Sequence, residues 1–122
     1  MLVTVLRAKL HRLRVTATAL NYEGSLTVDQ ALLERAGMLL HERVLVSNLS
    51  TGTRFDTYLI PAPADSGEAC VNGAAARLAH PGDFLIVMAF AQMSPEEARK
   101  LQPTVVQVDE HNHPLEPREE AK

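Results

Sequence analysis

The sequence has little of what several classes of protein require. Its single cysteine, Cys70, excludes an internal disulfide framework and suits a reducing compartment. The net charge of −3 leaves no excess of positive charge for binding nucleic acid or an acidic membrane surface. No apolar run approaches the roughly 20 residues that a membrane-spanning helix needs, and the order of the first residues is the reverse of that in a signal peptide. We therefore expect a cytoplasmic protein with no nucleic-acid or membrane partner.

The usual signatures of phosphate, dinucleotide and metal binding are also missing. Neither G-x-x-x-x-G-K-[ST] nor G-x-G-x-x-G occurs. The five histidines are scattered, and His111 and His113 have no cysteine or carboxylate at a spacing that would close a zinc site. We therefore predict that no metal is bound. Cys70 lies in the apolar run 69–71, which favours a buried small side chain over a nucleophile.

What is present is a series of short strands with a few brief helices. Asp29 is a predicted N-cap for a helix that Gly37 ends, and Ser94-Pro95-Glu96-Glu97 is a capping box that opens a second helix. The strand pattern predicts a single mainly β domain, a small β-barrel, over residues 1–108, followed by a loose polar tail over 109–122. The predicted strands cover residues 2–6, 8–16, 26–28, 43–49, 54–60, 84–90 and 105–108.

Alternation along two of these strands predicts which side chains share a face. In the first strand, a period of two places Lys9, His11, Leu13 and Val15 together. In the strand over 54–60, Arg54, Asp56 and Tyr58 share one face, so that Arg54 and Tyr58 could look into one pocket, and Phe55, Thr57 and Leu59 share the other.

Several polar residues allow both a chemical and a structural interpretation. Lys9 is either a solvated surface charge or a nucleophile whose pKa is lowered by neighbouring cations. Arg54 could bind a carboxylate through its planar fork, and Tyr58 could exchange a proton. The segment VNGAAARL, residues 71–78, is either an anion-binding nest of backbone amides or a turn before a short helix.

The Gly24-Ser25 pair, within NYEGSLTVD, is either a plain turn or a site of self-cleavage. Glycine permits close approaches and unusual backbone angles, and the hydroxyl of Ser25 lies within reach of the preceding carbonyl carbon. If a donor stabilises the oxyanion, the amide can rearrange to an ester by an N-to-O acyl shift. Elimination of the ester would then cut the chain and leave dehydroalanine, which hydrolyses to a pyruvoyl cap. Spacing alone leaves both interpretations open.

The order of several motifs resembles that of the bacterial pyruvoyl-dependent aspartate 1-decarboxylases. The resemblance covers about residues 1–108 and rests on KLH at 9–11, NYEGSLTVD at 21–29, TGTRFDTY at 51–58, VNGAAA at 71–76, GD at 82–83 and EEAR at 96–99 with a proline at 103. It implies a six-stranded double-psi β-barrel that assembles as a homotetramer with active sites between subunits. It also implies an inactive proenzyme that cuts itself into a small β chain, residues 1–24, and a large α chain, residues 25–122.

The resemblance further implies a covalent pyruvoyl group derived from Ser25, with neither pyridoxal phosphate nor a metal. This group would form a Schiff base with L-aspartate, carbon dioxide would leave, and the β-alanine released would supply pantothenate and coenzyme A synthesis. By the same resemblance, Tyr58 matches the proton donor, and Gly24, Ser25 and Thr57 match the self-processing residues. The matched substrate-binding residues are Lys9, Arg54, Thr57, Gly73, Ala74 and Ala75, and further pocket positions are His11, Tyr22 and Asn72.

Two alternatives to this function stay open. One is a non-enzymatic β-barrel binding module in which Gly24-Ser25 is a turn. The other is a pyruvoyl decarboxylase for another amino acid such as glutamate, because Ser47 stands where some members of the family carry a bulky aromatic residue near the pocket. The sequence is equally compatible with spontaneous cleavage and with cleavage assisted by a maturation factor.

Overall fold

The computed structural model describes residues 1–116, and residues 117–122 lie outside the described part. Eight strands form one sheet in the order β2-β6-β3-β5-β4-β7-β1-β8. The strands are β1 (Val3–Arg14), β2 (Ala17–Ala19), β3 (Ser25–Asp29), β4 (Arg43–Asn48), β5 (Arg54–Ala62), β6 (Ala69–Asn72), β7 (Phe84–Met93) and β8 (Thr104–Gln107). The helices are α1 (Gln30–Ala36), α2 (Pro95–Lys100) and a 3₁₀ helix (Gly73–Leu78).

β7 lies between β1 and β4 and pairs antiparallel with both. This confirms the central strand that its apolar run predicts. Its inward face carries Leu85, Val87 and Ala89, each of which is fully buried. The core continues from β7 into the inward faces of the other long strands, where Leu10, Leu26, Val46 and Leu59 are also fully buried.

The chain after β1 joins the two ends of the sheet. The backbone N–H of Thr16 donates to the carbonyl of Ala69, and the backbone N–H of Ala69 donates to the Thr16 hydroxyl at 2.9 Å. These bonds bring the end of β1 against β6, so the core is enclosed on both sides. The mainly β prediction is confirmed, and the sheet is consistent with a small double-psi barrel in which the short edge strands β2 and β8 raise the strand number from six to eight.

A β-bulge in β1 changes which residues face the core. His11 pairs with Ile86 and Leu13 with Leu85, so Arg12 is an extra residue, and its φ is +68°. Because an extra residue shifts the alternation by one, Leu13 is fully buried whereas His11 lies on the outward face. The prediction that Lys9 and His11 share a face with Leu13 and Val15 is therefore wrong beyond His11.

Both predicted helices are present with the predicted caps. The Asp29 carboxylate accepts from the backbone N–H of Ala31 at 2.8 Å, and Gly37 ends α1 with φ +72°. Ser94 and Glu97 form both reciprocal bonds of the capping box at the start of α2. No helix among residues 1–116 is long and apolar enough to cross a membrane.

The segment after β8 is ordered as far as the structure describes it. The Asp109 carboxylate accepts from the backbone N–H groups of His111 and His113, at 2.8 and 3.0 Å. Asn112 is buried, and its side-chain amide donates to the carbonyls of Arg14 and Gly67. The prediction of a loose tail is therefore wrong for residues 109–116, and its remainder lies outside the described residues.

Candidate active site

Ser25 begins β3 directly opposite Asn72 on the antiparallel strand β6. Its side chain is buried, and its residue is only 1% exposed. The side-chain amide of Asn72 donates to Ser25 Oγ at 2.9 Å and to Thr27 Oγ1 at 2.8 Å. Ser25 Oγ in turn donates to the carbonyl of Glu23 at 3.3 Å. The hydroxyl next to the Gly24–Ser25 peptide bond is therefore held at a fixed place in the sheet.

Cys70 determines which atom of the Asn72 amide faces Ser25. Its thiol donates to Asn72 Oδ1 at 3.2 Å, so the amide nitrogen points towards the two hydroxyls. Burial, with a smaller contribution from Glu68, raises the pKa of the Cys70 thiol and keeps it a donor. Cys70 is half-buried and lies on the polar face of β6, so the prediction of a buried apolar side chain is wrong.

Thr57 and Tyr58 lie at the same end of the sheet as Ser25. β3 and β5 pair in parallel from Leu26 and Leu59 onwards. If this register is continued backwards, Tyr58 stands beside Ser25 and Thr57 beside Gly24. The Tyr58 ring is 36% exposed on the outward face, and the Thr57 hydroxyl has no hydrogen-bond partner among residues 1–116.

Gly73 is in backbone contact with Gly24. Gly73 has φ +76°, and a Cβ placed on it would lie 2.6 Å from Gly24 Cα and 2.8 Å from Gly24 N. We call Gly24, Ser25, Asn72 and Gly73 the processing cluster. Around it, Tyr22 and Ala74 are exposed, and Ala75 packs against the core.

A second group of predicted site residues lies on the outward face of a different part of the sheet. One row of paired residues runs His11, Ile86, Ser47, Arg54 across β1, β7, β4 and β5. Lys9 is two residues before His11 on the same face of β1. An open groove of about 360 Å³ is lined by Ser47, Arg54, Ile86 and Met88 in the middle of this region. We call Lys9, His11, Ser47 and Arg54 the cationic groove, although only Ser47 and Arg54 line the cavity and Lys9 and His11 lie beside it on the same outward face.

His11 enters the cationic groove as a neutral side chain near neutral pH. Burial lowers its pKa below the usual 6.5, and the charges of Lys9 and Arg12 lower it further. Its Nδ1 is buried and has no hydrogen-bond partner among the described residues. One nitrogen of the imidazole is thus unsatisfied within the described part of the single chain.

A single chain does not bring the cationic groove and the processing cluster together. Arg54 precedes Tyr58 by four residues of one strand, a separation of about 13 Å. The two side chains share a face, as predicted. Arg54 lines the open groove and Tyr58 does not, so the interpretation that both look into one pocket stays a prediction. The structure brings Ser25, Asn72, Gly73, Thr57 and Tyr58 together and leaves Lys9, His11 and Arg54 apart from them.

Sequence reasoning missed two contacts of the processing cluster, Thr27 and Cys70. Both lie two residues from a predicted site residue on the same strand, so alternation could have indicated them once β6 was known. β6 itself was not predicted, because four residues are too few to show a period. Within residues 1–116 no three His, Cys, Asp or Glu side chains form a group that could hold a metal ion.

Comparison with known proteins identifies the family. The family model for aspartate decarboxylase matches residues 1–115. The aspartate 1-decarboxylase of Salinibacter ruber is 54% identical over 110 residues, which cover 90% of this chain and 75% of that protein. Those of Clostridium beijerinckii and Chlorobaculum parvum are 48% and 52% identical, covering 92% and 93% of this chain and 90% and 89% of theirs. The chain therefore belongs to the aspartate decarboxylase family of carboxy-lyases.

Proposed function

We propose that the chain converts L-aspartate to β-alanine and carbon dioxide, after cutting its own Gly24–Ser25 bond to make a pyruvoyl group. The names of its relatives support the substrate. The observation that carries the self-cleavage is the buried hydroxyl of Ser25, which the Asn72 amide holds at 2.9 Å beside the bond to be cut. A serine in a surface turn would not need a buried hydroxyl whose orientation is fixed by hydrogen bonds.

The proposed cleavage begins with an acyl shift. Ser25 Oγ forms a bond to the Gly24 carbonyl carbon, the C–N bond between the two residues breaks, and the hydroxyl proton ends on the freed nitrogen. Thr57 would donate to the oxyanion formed on the way; its hydroxyl has no partner among residues 1–116, and the β3–β5 register, continued backwards, sets it beside Gly24, which supports this role. Loss of the Ser25 Cα proton and of the Gly24 carboxylate then gives dehydroalanine. Water replaces its nitrogen, which leaves as ammonia, and the pyruvoyl group remains.

The pyruvoyl carbonyl would condense with the amino group of aspartate and take up the electrons released by decarboxylation. The side chains of the chain itself bind and orient the substrate. Arg54 and Lys9 provide two separate cations. Aspartate has two carboxylates, so each carboxylate can be oriented by its own cation. Tyr58 would deliver the proton that β-alanine needs, a role supported by the β3–β5 register, which when continued backwards sets Tyr58 beside residue 25.

Assembly completes the proposed site. Ser47 and Arg54 line a groove to which none of Ser25, Asn72, Gly73 and Tyr58 contributes, and we infer that the cationic groove serving a given pyruvoyl group belongs to a neighbouring subunit. The unsatisfied Nδ1 of His11 supports this, because an adjoining subunit or substrate can satisfy it. We therefore propose a homotetramer with active sites between subunits, which works in the cytoplasm and supplies β-alanine for pantothenate synthesis.

Intact-mass measurement of the purified protein tests the proposal. The wild type should give two pieces of 24 and 98 residues from the 122 of the chain, with the larger piece capped by a pyruvoyl group. Ser25→Ala should stay whole, because only the nucleophilic hydroxyl is lost, and the exposed Ser66→Ala should be cut like the wild type. A cut Ser25→Ala chain contradicts the mechanism, and so does a wild-type chain that stays whole when it is purified from its own host cells, as a binding module would.

Glutamate is a second candidate substrate because of Ser47. Its small side chain lines the groove beside Arg54 and leaves that groove open. An extra methylene in the substrate typically changes discrimination by only about 1–3 kcal/mol. The ratio of kcat/KM for aspartate and glutamate measures the preference directly, and a ratio below one would make glutamate the substrate.

A further inference from the structure

Gly24 does not need to be glycine in the uncut chain. Five of the six glycines have a positive φ, and Gly24 is the exception. A Cβ added to Gly24 would have no atom within 4 Å apart from its chain neighbours. The expectation that Gly24 supplies the unusual backbone angle at the cleavage point is therefore not met, and the constraint on this bond comes from elsewhere.

The constraint comes from Gly73, at the junction of β6 and the 3₁₀ helix. Its φ of +76° is in the left-handed region, and a Cβ on it would lie 2.6 Å from Gly24 Cα, 2.8 Å from Gly24 N and 3.2 Å from the Tyr22 carbonyl oxygen. All three are backbone atoms, which cannot rotate aside as the end of a long side chain can. The residue before it, Asn72, holds the Ser25 hydroxyl at 2.9 Å. Two consecutive residues thus contact the two sides of one peptide bond.

We propose that Gly73 is a positioning residue for the self-cleavage, an inference that rests on the proposed function. Its bare backbone packs against Gly24 and keeps the carbonyl carbon in line with the hydroxyl that Asn72 holds. The bond from Ser25 Oγ to the Gly24 carbonyl carbon can then form as the C–N bond breaks and the proton passes to nitrogen. Gly73 takes no part in the bond-forming and bond-breaking steps. It acts only by fixing the position of Gly24.

Gly73→Ala should fold and yet be cut slowly. The added methyl group has to displace the segment 22–24, whereas Ser25 stays paired with Asn72 in the sheet. The two reacting atoms then lose their alignment, and misplacement by about 1 Å can cost on the order of a hundredfold in rate. We expect cleavage at least about tenfold slower than in the wild type.

Gly37 provides the matched control. Its φ of +72° is nearly that of Gly73, but a Cβ on it would have nothing within 4 Å. Gly37→Ala therefore introduces the same backbone strain without a contact to Gly24, and it should be cut at the wild-type rate. Asparagine tolerates left-handed angles better than alanine does. Gly73→Asn should thus relieve part of the strain, keep the clash and remain slow, whereas Gly37→Asn should be cut normally.

The rate is best followed by cell-free synthesis of labelled protein, a chase, and separation of the pieces on a denaturing gel. Hydroxylamine added during the chase cuts the ester form but not the amide. It should accelerate splitting of the wild type and of Gly37→Ala, and have little effect on Gly73→Ala, because that variant reaches the ester only slowly. Rapid cutting of Gly73→Ala, with or without hydroxylamine, overturns the role of Gly73 while the proposed function stands. A wild type that is not cut overturns both.

A direct measurement covers the case in which Gly73→Ala does not fold. Ser25→Ala protein with labelled glycine cannot be cut and retains Gly73. Its NMR spectrum should contain a strong cross-relaxation peak between the Hα atoms of Gly73 and Gly24, and absence of that peak overturns the inference.

Discussion

Tyr58 is the residue on which turnover should depend most once the chain is cut. Its phenol hydroxyl can donate a proton to the carbon from which carbon dioxide has left. Tyr58→Phe keeps the ring and its edge contact with His41, at 6.4 Å between centroids, and removes only the hydroxyl. We expect normal cutting at Gly24–Ser25 and turnover of aspartate at least about a hundredfold slower. Near-normal turnover by a fully cut Tyr58→Phe protein would assign the proton to another donor.

At the residue scale, the sequence did not show which side chains from distant segments lie in contact. The pairing of Ser25 with Asn72 needs the partners of β3, and no local pattern in the sequence carries them. The contact between Gly73 and Gly24 joins positions 49 residues apart in the chain, and a glycine looks the same in the sequence whether it serves a turn or a close approach. The motifs shared with a family predicted that these residues belong to the site. Only the fold shows which contacts they make there.

At the scale of elements, Asp29 joins helix α1 to the loop between β5 and β6. Its buried carboxylate accepts three backbone N–H bonds, from Ala31 at 2.8 Å and from Asp65 and Gly67 at 2.9 Å. Asp29→Ala leaves these donors without a partner and should lower the free energy of unfolding by about 3–4 kcal/mol. Ser94→Ala removes a half-buried cap whose bond to the Glu97 N–H is exposed, and it should cost only about 1 kcal/mol. Denaturant unfolding in the uncut Ser25→Ala background compares the two, and equal losses would contradict the role of Asp29.

Elements whose sequence signals lie within a few residues were predicted, and elements that depend on pairing with distant strands were not. Helices α1 and α2 have caps that are satisfied within a few residues, so Asp29 with Gly37 and Ser94 with Glu97 were sufficient. β2 has three residues and depends on pairing with β6, so nothing in its own sequence announces it. Nothing in the sequence predicts the bulge at Arg12 either, because arginine has no preference for a positive φ.

For the whole molecule, the proposal that the active site lies between subunits makes a prediction about mixed assemblies. Arg54→Ala alone should lose about 1.5–3 kcal/mol of substrate binding, roughly a tenfold to hundredfold fall in kcat/KM. Coexpression of Ser25→Ala with Arg54→Ala should restore part of the activity, because a cut chain can then meet an intact cationic groove on its neighbour. Activity of purified mixed tetramers, isolated through two different tags, measures this.

The control pair is Ser25→Ala with Tyr58→Phe. Both changes fall in the same part of one chain, so no arrangement of the two variants rebuilds a complete site. This pair should therefore stay inactive. Failure of the first pair to recover would place the site within a single subunit, and restoration by the control pair would place the Ser25 and Tyr58 of one site on different subunits.

The position of β1 in the sheet has a consequence for the cut protein. β1 lies between β7 and β8 and pairs with both, and its far end is bonded to Asn112. The proposed cut after Gly24 would thus turn the first 24 residues into a separate peptide that occupies an interior place in the sheet. Such a peptide cannot leave without exposing two new strand edges and the core behind them. Cleavage would then change the number of chains without releasing one, and a nicked subunit would hold its own smaller piece as tightly as a folded protein holds a central strand.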